Sequence, residues 1–144
     1  MKVKEAQIVK ALDNPGTSVS LFLLYGPDDA GSRALAARLD RAMGTDAERI
    51  DLDGATLKED PARLADEAAS FSLFGKKRYI RVVGGDECTN AVVALLEAHT
   101  IGNPVVFIAG ALKPTSALMK AALNHHAVMG FASYKPEGAG LEAL

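Results

Sequence analysis

Hydrophobic positions along the chain follow two different periods. Short, nearly continuous apolar runs are typical of buried strands, and they are separated by stretches in which apolar residues recur with helical spacing. The apolar runs predict strands at 19–25, 49–52, 78–83, 104–109 and 128–133. The stretches with helical spacing predict helices at 4–12, 29–43, 61–70, 87–99 and 116–124.

The regular alternation of strand and helix predicts an α/β fold, with a three-layer, parallel five-stranded sheet and helices on both faces. The run 19–25 is apolar on both faces, which is typical of a central strand in a covered sheet. The run 49–52 alternates polar and apolar residues, so we expect it at an edge. Gly44 is expected to end the helix at 29–43. Asp60 is expected to cap the helix that starts at Pro61.

Composition limits the classes of function. The 144 residues are 49% hydrophobic and 24% charged, as in an ordinary globular domain. A formal net charge of −2 gives no support for a protein that holds DNA mainly through phosphates. The single cysteine, Cys88, excludes an internal disulfide, and no Cys/His spacing resembles a zinc site. No apolar run is long enough to span a membrane and no signal peptide is evident, so a cytoplasmic protein is expected.

A glycine spacing after the first strand resembles a phosphate-binding loop. Gly26 and Gly31 form the pattern G-x-x-x-x-G between a predicted strand and a predicted helix. Ser32 and Arg33 stand where a working loop has Lys and Ser or Thr. The lysine that would offset phosphate charge is therefore absent.

Two aspartates in the same loop, Asp28 and Asp29, would repel a phosphate and could cap the following helix themselves. The pattern therefore favours a structural turn between strand and helix over a working nucleotide site.

Other candidates for chemistry are weak. Asp86 follows a strand only after two glycines, and it is as good a helix cap as a metal ligand. His99, His125 and His126 have no nearby acid or serine that would suggest a triad, so surface or cap roles are favoured. Cys88 follows an acidic pair, which is expected to raise its pKa rather than activate it.

The segment between the third helix and the third strand is unusually apolar. Leu73 and Phe74 stand together there between small residues. The pattern alone favours burial of both in the core, and the alternative is a protruding pair that anchors in the pocket of a partner. The basic cluster 76–81 follows, for which a solvated strand start is favoured over a DNA-facing patch.

Several of these motifs together resemble the N-terminal domain of the delta subunits of the bacterial DNA polymerase III clamp loader. The resemblance begins with Ser72-Leu-Phe-Gly75, followed by Lys77-Arg78 and the strand 79–83. The stretch 20–26 is similar to the first strand and degenerate phosphate loop of that family. The stretches 104–109, 112–113 and 121–123 are similar to its fourth strand and adjoining helix. The resemblance covers nearly the whole chain.

The resemblance implies a P-loop NTPase-like, AAA+-like domain over residues 1–134 that neither binds nor hydrolyses ATP and needs no cofactor or metal. Residues 135–144 would be a linker towards a lid domain outside this chain, which implies a fragment of a longer protein. The domain would not be an enzyme itself, although the holoenzyme to which the family belongs is a DNA-directed DNA polymerase.

In that family this domain binds and opens the sliding clamp, the beta subunit, during DNA replication. The other partners implied are the gamma/tau and delta prime subunits, with DNA contact indirect or weak and no membrane contact. The implied clamp-binding residues are Ser70, Phe71, Ser72, Leu73 and Phe74. Ala69 replaces a glutamine that often begins the motif. An active NTPase with a deviant loop and another non-catalytic AAA+ adaptor domain remain the alternatives.

Overall fold

Helices and strands alternate along the chain in a computed structural model that describes residues 1–16, 18–71, 75–98 and 102–134. Predictions for Ser72, Leu73, Phe74, His99 and the linker 135–144 fall outside the described residues. The helices are α1 (Glu5–Asp13), α2 (Asp29–Met43), α3 (Gly54–Glu59), α4 (Ala62–Ala69), α5 (Thr89–Glu97) and α6 (Ala117–Ala122). The strands are β1 (Leu21–Tyr25), β2 (Glu48–Asp53), β3 (Arg78–Val83), β4 (Val105–Ile108) and β5 (Val128–Ala132).

The five strands form one parallel sheet in the order β2-β3-β4-β1-β5. Leu23 of β1 is aligned with Phe107 of β4 on one side and with Gly130 of β5 on the other. The predicted fold class is thus confirmed, as are the central place of β1 and the edge place of β2.

Each face of the sheet is covered by its own hydrophobic cluster, because successive residues of a strand point to opposite faces. Leu21 and Leu23 of β1 pack on one face with side chains from α3, α4, α5 and α6. Phe22 and Leu24 pack on the other face with side chains from α1 and α2. All five residues of β1 are buried, as its continuous apolar sequence requires.

Some local predictions need correction. Helix α3 was not predicted, since its six residues are too few for a hydrophobic period; it begins where the Asp53 carboxylate accepts the Thr56 amide at 2.8 Å. Asp60 does not cap α4 through its side chain: Pro61 occupies the cap position, and the Asp60 carbonyl accepts the Arg63 amide. The helix predicted at 87–99 begins as a single 3-10 turn, Asp86–Cys88.

Candidate functional site

The turn between β1 and α2 contains both glycines of the phosphate-loop spacing. Gly26 has a φ of 112°, which favours glycine, and its amide donates to the Gly110 carbonyl at 3.1 Å. A Cβ added to Gly26 would collide with the Ser133 carbonyl oxygen. Gly26 therefore allows the ends of β1, β4 and β5 to approach one another closely.

Several backbone donors of this turn are occupied by the protein itself. The Asp28 carboxylate accepts the Gly31 amide at 3.0 Å, and the Asp28 carbonyl accepts the Ser32 amide at 3.0 Å. The Asp28 amide in turn donates to the Ser133 carbonyl at 3.1 Å. Since a phosphate-binding loop works through unpaired amides, Asp28 fills the place where a phosphate would bind. The predicted capping by Asp28 is confirmed.

Neither residue after Gly31 can replace the missing phosphate contacts. Ser32 is fully buried, and its hydroxyl has no hydrogen-bond partner among the described residues. Arg33 points away from the turn and pairs with Asp29 at 2.7 Å on the exposed side of α2. The degenerate phosphate loop, predicted at Gly26, Gly31, Ser32 and Arg33, is thus a closed turn.

The acids that follow β3 are also used internally. The Asp86 carboxylate accepts hydrogen bonds from the Ser116 hydroxyl and, at 3.3 Å, from the Leu118 amide at the start of α6. The Glu87 carboxylate accepts the Gly85 amide at 2.9 Å. Asp86 therefore ties α6 to the end of β3 and does not cap its own helix, which was one of its two expected roles.

The surroundings of the other titratable candidates, Cys88, His125 and His126, favour structural roles. Burial, followed by the charge of Glu87, raises the pKa of Cys88 to about 11 and keeps the thiol protonated, in the predicted direction. His125 accepts the Ala127 amide through Nδ1 at 3.1 Å, and its ring stacks on His126 with centroids 4.6 Å apart. Within the described ranges, no group of three or more His, Cys, Asp or Glu side chains could hold a metal ion. No helix there is long and apolar enough to cross a membrane.

The segment that connects α4 to β3 presents the second predicted site. Ser70 ends α4, and its hydroxyl donates to the Asp66 carbonyl at 2.7 Å. The side chain of Phe71 follows and is 92% exposed. Phe71 is thus the most exposed of the large hydrophobic side chains in the described part of the chain.

The basic cluster beside this segment divides into paired and unpaired cations. Arg78 pairs with Glu48 at 2.7 Å and with Glu67 at 3.6 Å, which joins the start of β3 to β2 and α4. Lys76 and Lys77 are exposed and form no ion pair with a described residue. Arg81 pairs with Asp40 at 3.7 Å, so among the described residues of this cluster the two lysines alone lack an ion pair.

The closed turn and the exposed Phe71 lie at opposite ends of the parallel strands. The turn follows the carboxyl end of β1, and the segment precedes the amino end of β3 in a sheet whose strands all run the same way. Asn103, which precedes β4, lies at the second edge and donates through its side chain to the Ser70 carbonyl at 2.7 Å. Sequence reasoning missed Asn103, because its partners are more than thirty residues away and no local pattern marks them.

Comparisons with known proteins identify the fold alone. No family model matches the chain, and no curated protein matches it. Among solved structures, a DNA polymerase III gamma subunit-related protein from Thermotoga maritima matches with a TM-score of 0.53 and 14% identity. The match covers 94% of this chain and 48% of the other, so this chain spans about half the length of its neighbour. The chain therefore shares a three-layer α/β fold with a DNA polymerase III gamma subunit-related protein.

Proposed function

We propose that this chain is a non-catalytic clamp-loader module, similar to the delta subunit, which binds the DNA polymerase sliding clamp through the segment 70–74. The observation that carries the proposal is Phe71, 92% exposed between α4 and β3. Burial of a large apolar side chain in a partner is worth about 1.5–3 kcal/mol. A few such anchors can dominate an interface. Leu73 and Phe74 would enter an apolar pocket of the clamp, while Ser70, Phe71 and Ser72 shape the contact.

The closed turn after β1 supports a role without nucleotide chemistry. The Asp28 carboxylate occupies the Gly31 amide, and a second negative charge at that place would be repelled. Ser32 at the lysine position carries no positive charge. The module would therefore contribute binding to an assembly whose nucleotide hydrolysis is performed elsewhere.

The fold of the structural neighbour, a DNA polymerase III gamma subunit-related protein, supports the choice of assembly. The proposed partners are the sliding clamp and the gamma/tau and delta prime subunits. Opening of the clamp during DNA replication and a place in the cytoplasm belong to the same proposal. Direct DNA contact would be weak, since the net charge is −2.

A binding assay with the bacterial sliding clamp tests the proposed site. We expect the double variant Leu73→Ala/Phe74→Ala to lose clamp binding, measured by surface plasmon resonance, while its thermal unfolding stays cooperative. Val83→Ala is a matched control, because Val83 is 40% exposed at the opposite edge of the sheet. Clamp binding that survives the double change would show that the segment is not the contact.

An active NTPase makes a different prediction. If the turn after β1 bound nucleotide, Mg-ATP would raise the melting temperature in a saturable manner. We expect no shift, because the turn donates its amides internally. A non-catalytic AAA+ adaptor of another kind would also show no shift, but its wild-type chain would fail to bind the clamp.

A further inference from the structure

Helix α4 ends without a glycine to close it. Helices often satisfy their last carbonyl groups through a glycine in the left-handed conformation. Here Ser70 follows the helix in an extended conformation, with φ −77° and ψ 147°, and its amide reaches only the Glu67 carbonyl at 3.2 Å. The other carbonyl groups at this end take partners from outside the helix, either water or other parts of the chain.

Asn103 supplies those partners from the start of β4. Its Nδ2 atom donates to the carbonyl oxygens of Glu67 at 3.1 Å and Ser70 at 2.7 Å. Its backbone amide donates to the Ala68 carbonyl at 2.7 Å. One residue thus binds three carbonyl groups at the exit of the helix, immediately before Phe71.

Gly102 makes this approach possible. A Cβ added to Gly102 would collide with the carbonyl oxygen of Ala68, so the two backbones are in direct contact. On the far side of the segment, Arg78 pairs with Glu67 and holds the start of β3 against the same helix. The end of α4 is therefore held both by residues 102–103 and by Arg78.

We propose that Asn103 is a positioning residue for the partner-binding segment, an inference that rests on the proposed function. By fixing the exit of α4, Asn103 sets the direction in which the chain reaches Phe71. A residue held in one direction loses less conformational entropy when a partner binds. Asn103 makes this contribution without touching the partner.

The contacts of Asn103 with two carbonyl oxygens require a side chain that donates hydrogen bonds. The substitution Asn103→Asp would keep the shape of the side chain but would set a carboxylate against two carbonyl oxygens, whereas Asn103→Ala would only remove the donors. Clamp affinity is therefore measured for both variants. Asp53→Ala is the matched control, since it removes a helix cap of similar strength at the opposite edge of the sheet.

We expect the dissociation constant for the bacterial sliding clamp to rise about tenfold in Asn103→Asp, less in Asn103→Ala and not at all in Asp53→Ala. Thermal unfolding of all three variants separates affinity from stability, and Asn103→Ala decides the matter if Asn103→Asp does not fold. Wild-type affinity in a folded Asn103 variant would refute the positioning role.

Hydrogen exchange of the free chain separates this inference from the proposed function. We expect the amides of Ala69 and Ser70 to exchange faster in Asn103→Ala than in wild type, and at the wild-type rate in Asp53→Ala. If the wild-type chain does not bind the clamp, the proposed function fails, and exchange alone tests the fixing of the helix exit. Unchanged exchange in Asn103→Ala would refute that fixing.

Discussion

The Asp28 carboxylate accepts a hydrogen bond from the Gly31 amide. In a working phosphate loop, a bound phosphate would be the acceptor. A Cβ added to Gly31 would collide with the Asp28 carboxylate, which shows how closely the side chain fills the turn. The same aspartate caps α2, the longest described helix. One residue therefore both caps the helix and closes the loop.

Substitution of Asp28 tests its part in stability. We expect Asp28→Ala to lower the free energy of unfolding by about 1 kcal/mol, the usual cost of a lost helix cap. Asp29→Ala serves as the control, because Asp29 forms only an exposed pair with Arg33, and such pairs contribute about 0.5 kcal/mol or less. Urea denaturation measures both, and equal losses would show that Asp28 is not the cap.

At the scale of elements, polar contacts of Asp40 join helix α2 to the sheet. The Tyr79 hydroxyl in β3 donates to the Asp40 carboxylate of α2 at 2.6 Å. Arg49 and Arg81 lie 3.5 and 3.7 Å from the other Asp40 oxygen. Tyr79 itself is buried in the cluster beneath α2. This contact sets the orientation of α2 where apolar packing alone would leave it less specific.

The same contact predicts a pH dependence. Burial, followed by the hydrogen bond to Asp40, raises the pKa of Tyr79 from 10.0 to about 12. The neutral phenol is favoured in the folded state, so its contribution to stability is complete below pH 10 and is lost as the pH rises towards 12. Between pH 10 and pH 12, we expect the free energy of unfolding to fall less in Tyr79→Phe than in wild type. The difference between the two decreases is on the order of 2 kcal/mol. Subtracting the two denaturation curves cancels other titrating groups, and parallel curves would contradict the expectation.

Most elements could be predicted from sequence, because their signals are local. The bounds of α2 and β3 agree with the prediction, since α2 combines a leucine repeat with caps at both ends and β3 lies between glycine-containing segments. Helix α3 could not be found in this way, because it depends on one capping contact from Asp53 rather than on a hydrophobic period. A long helix therefore has a more recognisable sequence pattern than a short one.

The candidate sites were predictable only in part. The missing phosphate-loop lysine is visible in the sequence, but the burial of Ser32 is decided by how α2 packs. The choice between burial and protrusion for Leu73 and Phe74 stays a prediction. Asn103 contacts the helix exit through a side chain across the sheet edge, and no spacing rule predicts a hydrogen bond between such distant residues.

At the scale of the whole molecule, the two edges formed by the strand ends differ in chemistry. The carboxyl edge is where the parallel strands end, and the amino edge is where they begin. At the carboxyl edge, acids and amides satisfy one another, as in the contacts of Asp28 and Asp86. At the amino edge, Phe71 is exposed and two lysines are unpaired within the described part of the chain. The closed turn and the proposed interaction surface thus lie at opposite ends of the parallel strands.

This separation predicts that the two edges act independently in partner binding. We expect Phe71→Ala to weaken binding to the sliding clamp about tenfold or more, since an exposed aromatic side chain would lose its burial in the partner. Asp28→Ala should leave the affinity unchanged, because Asp28 stabilises the opposite edge and does not face the partner. In the double variant, changes at distant sites are expected to add to within about 0.5 kcal/mol. Titration calorimetry of wild type, the two single variants and the double variant measures the coupling energy between the two sites. A coupling energy above this limit would mean that the closed turn and the binding segment are linked through the sheet.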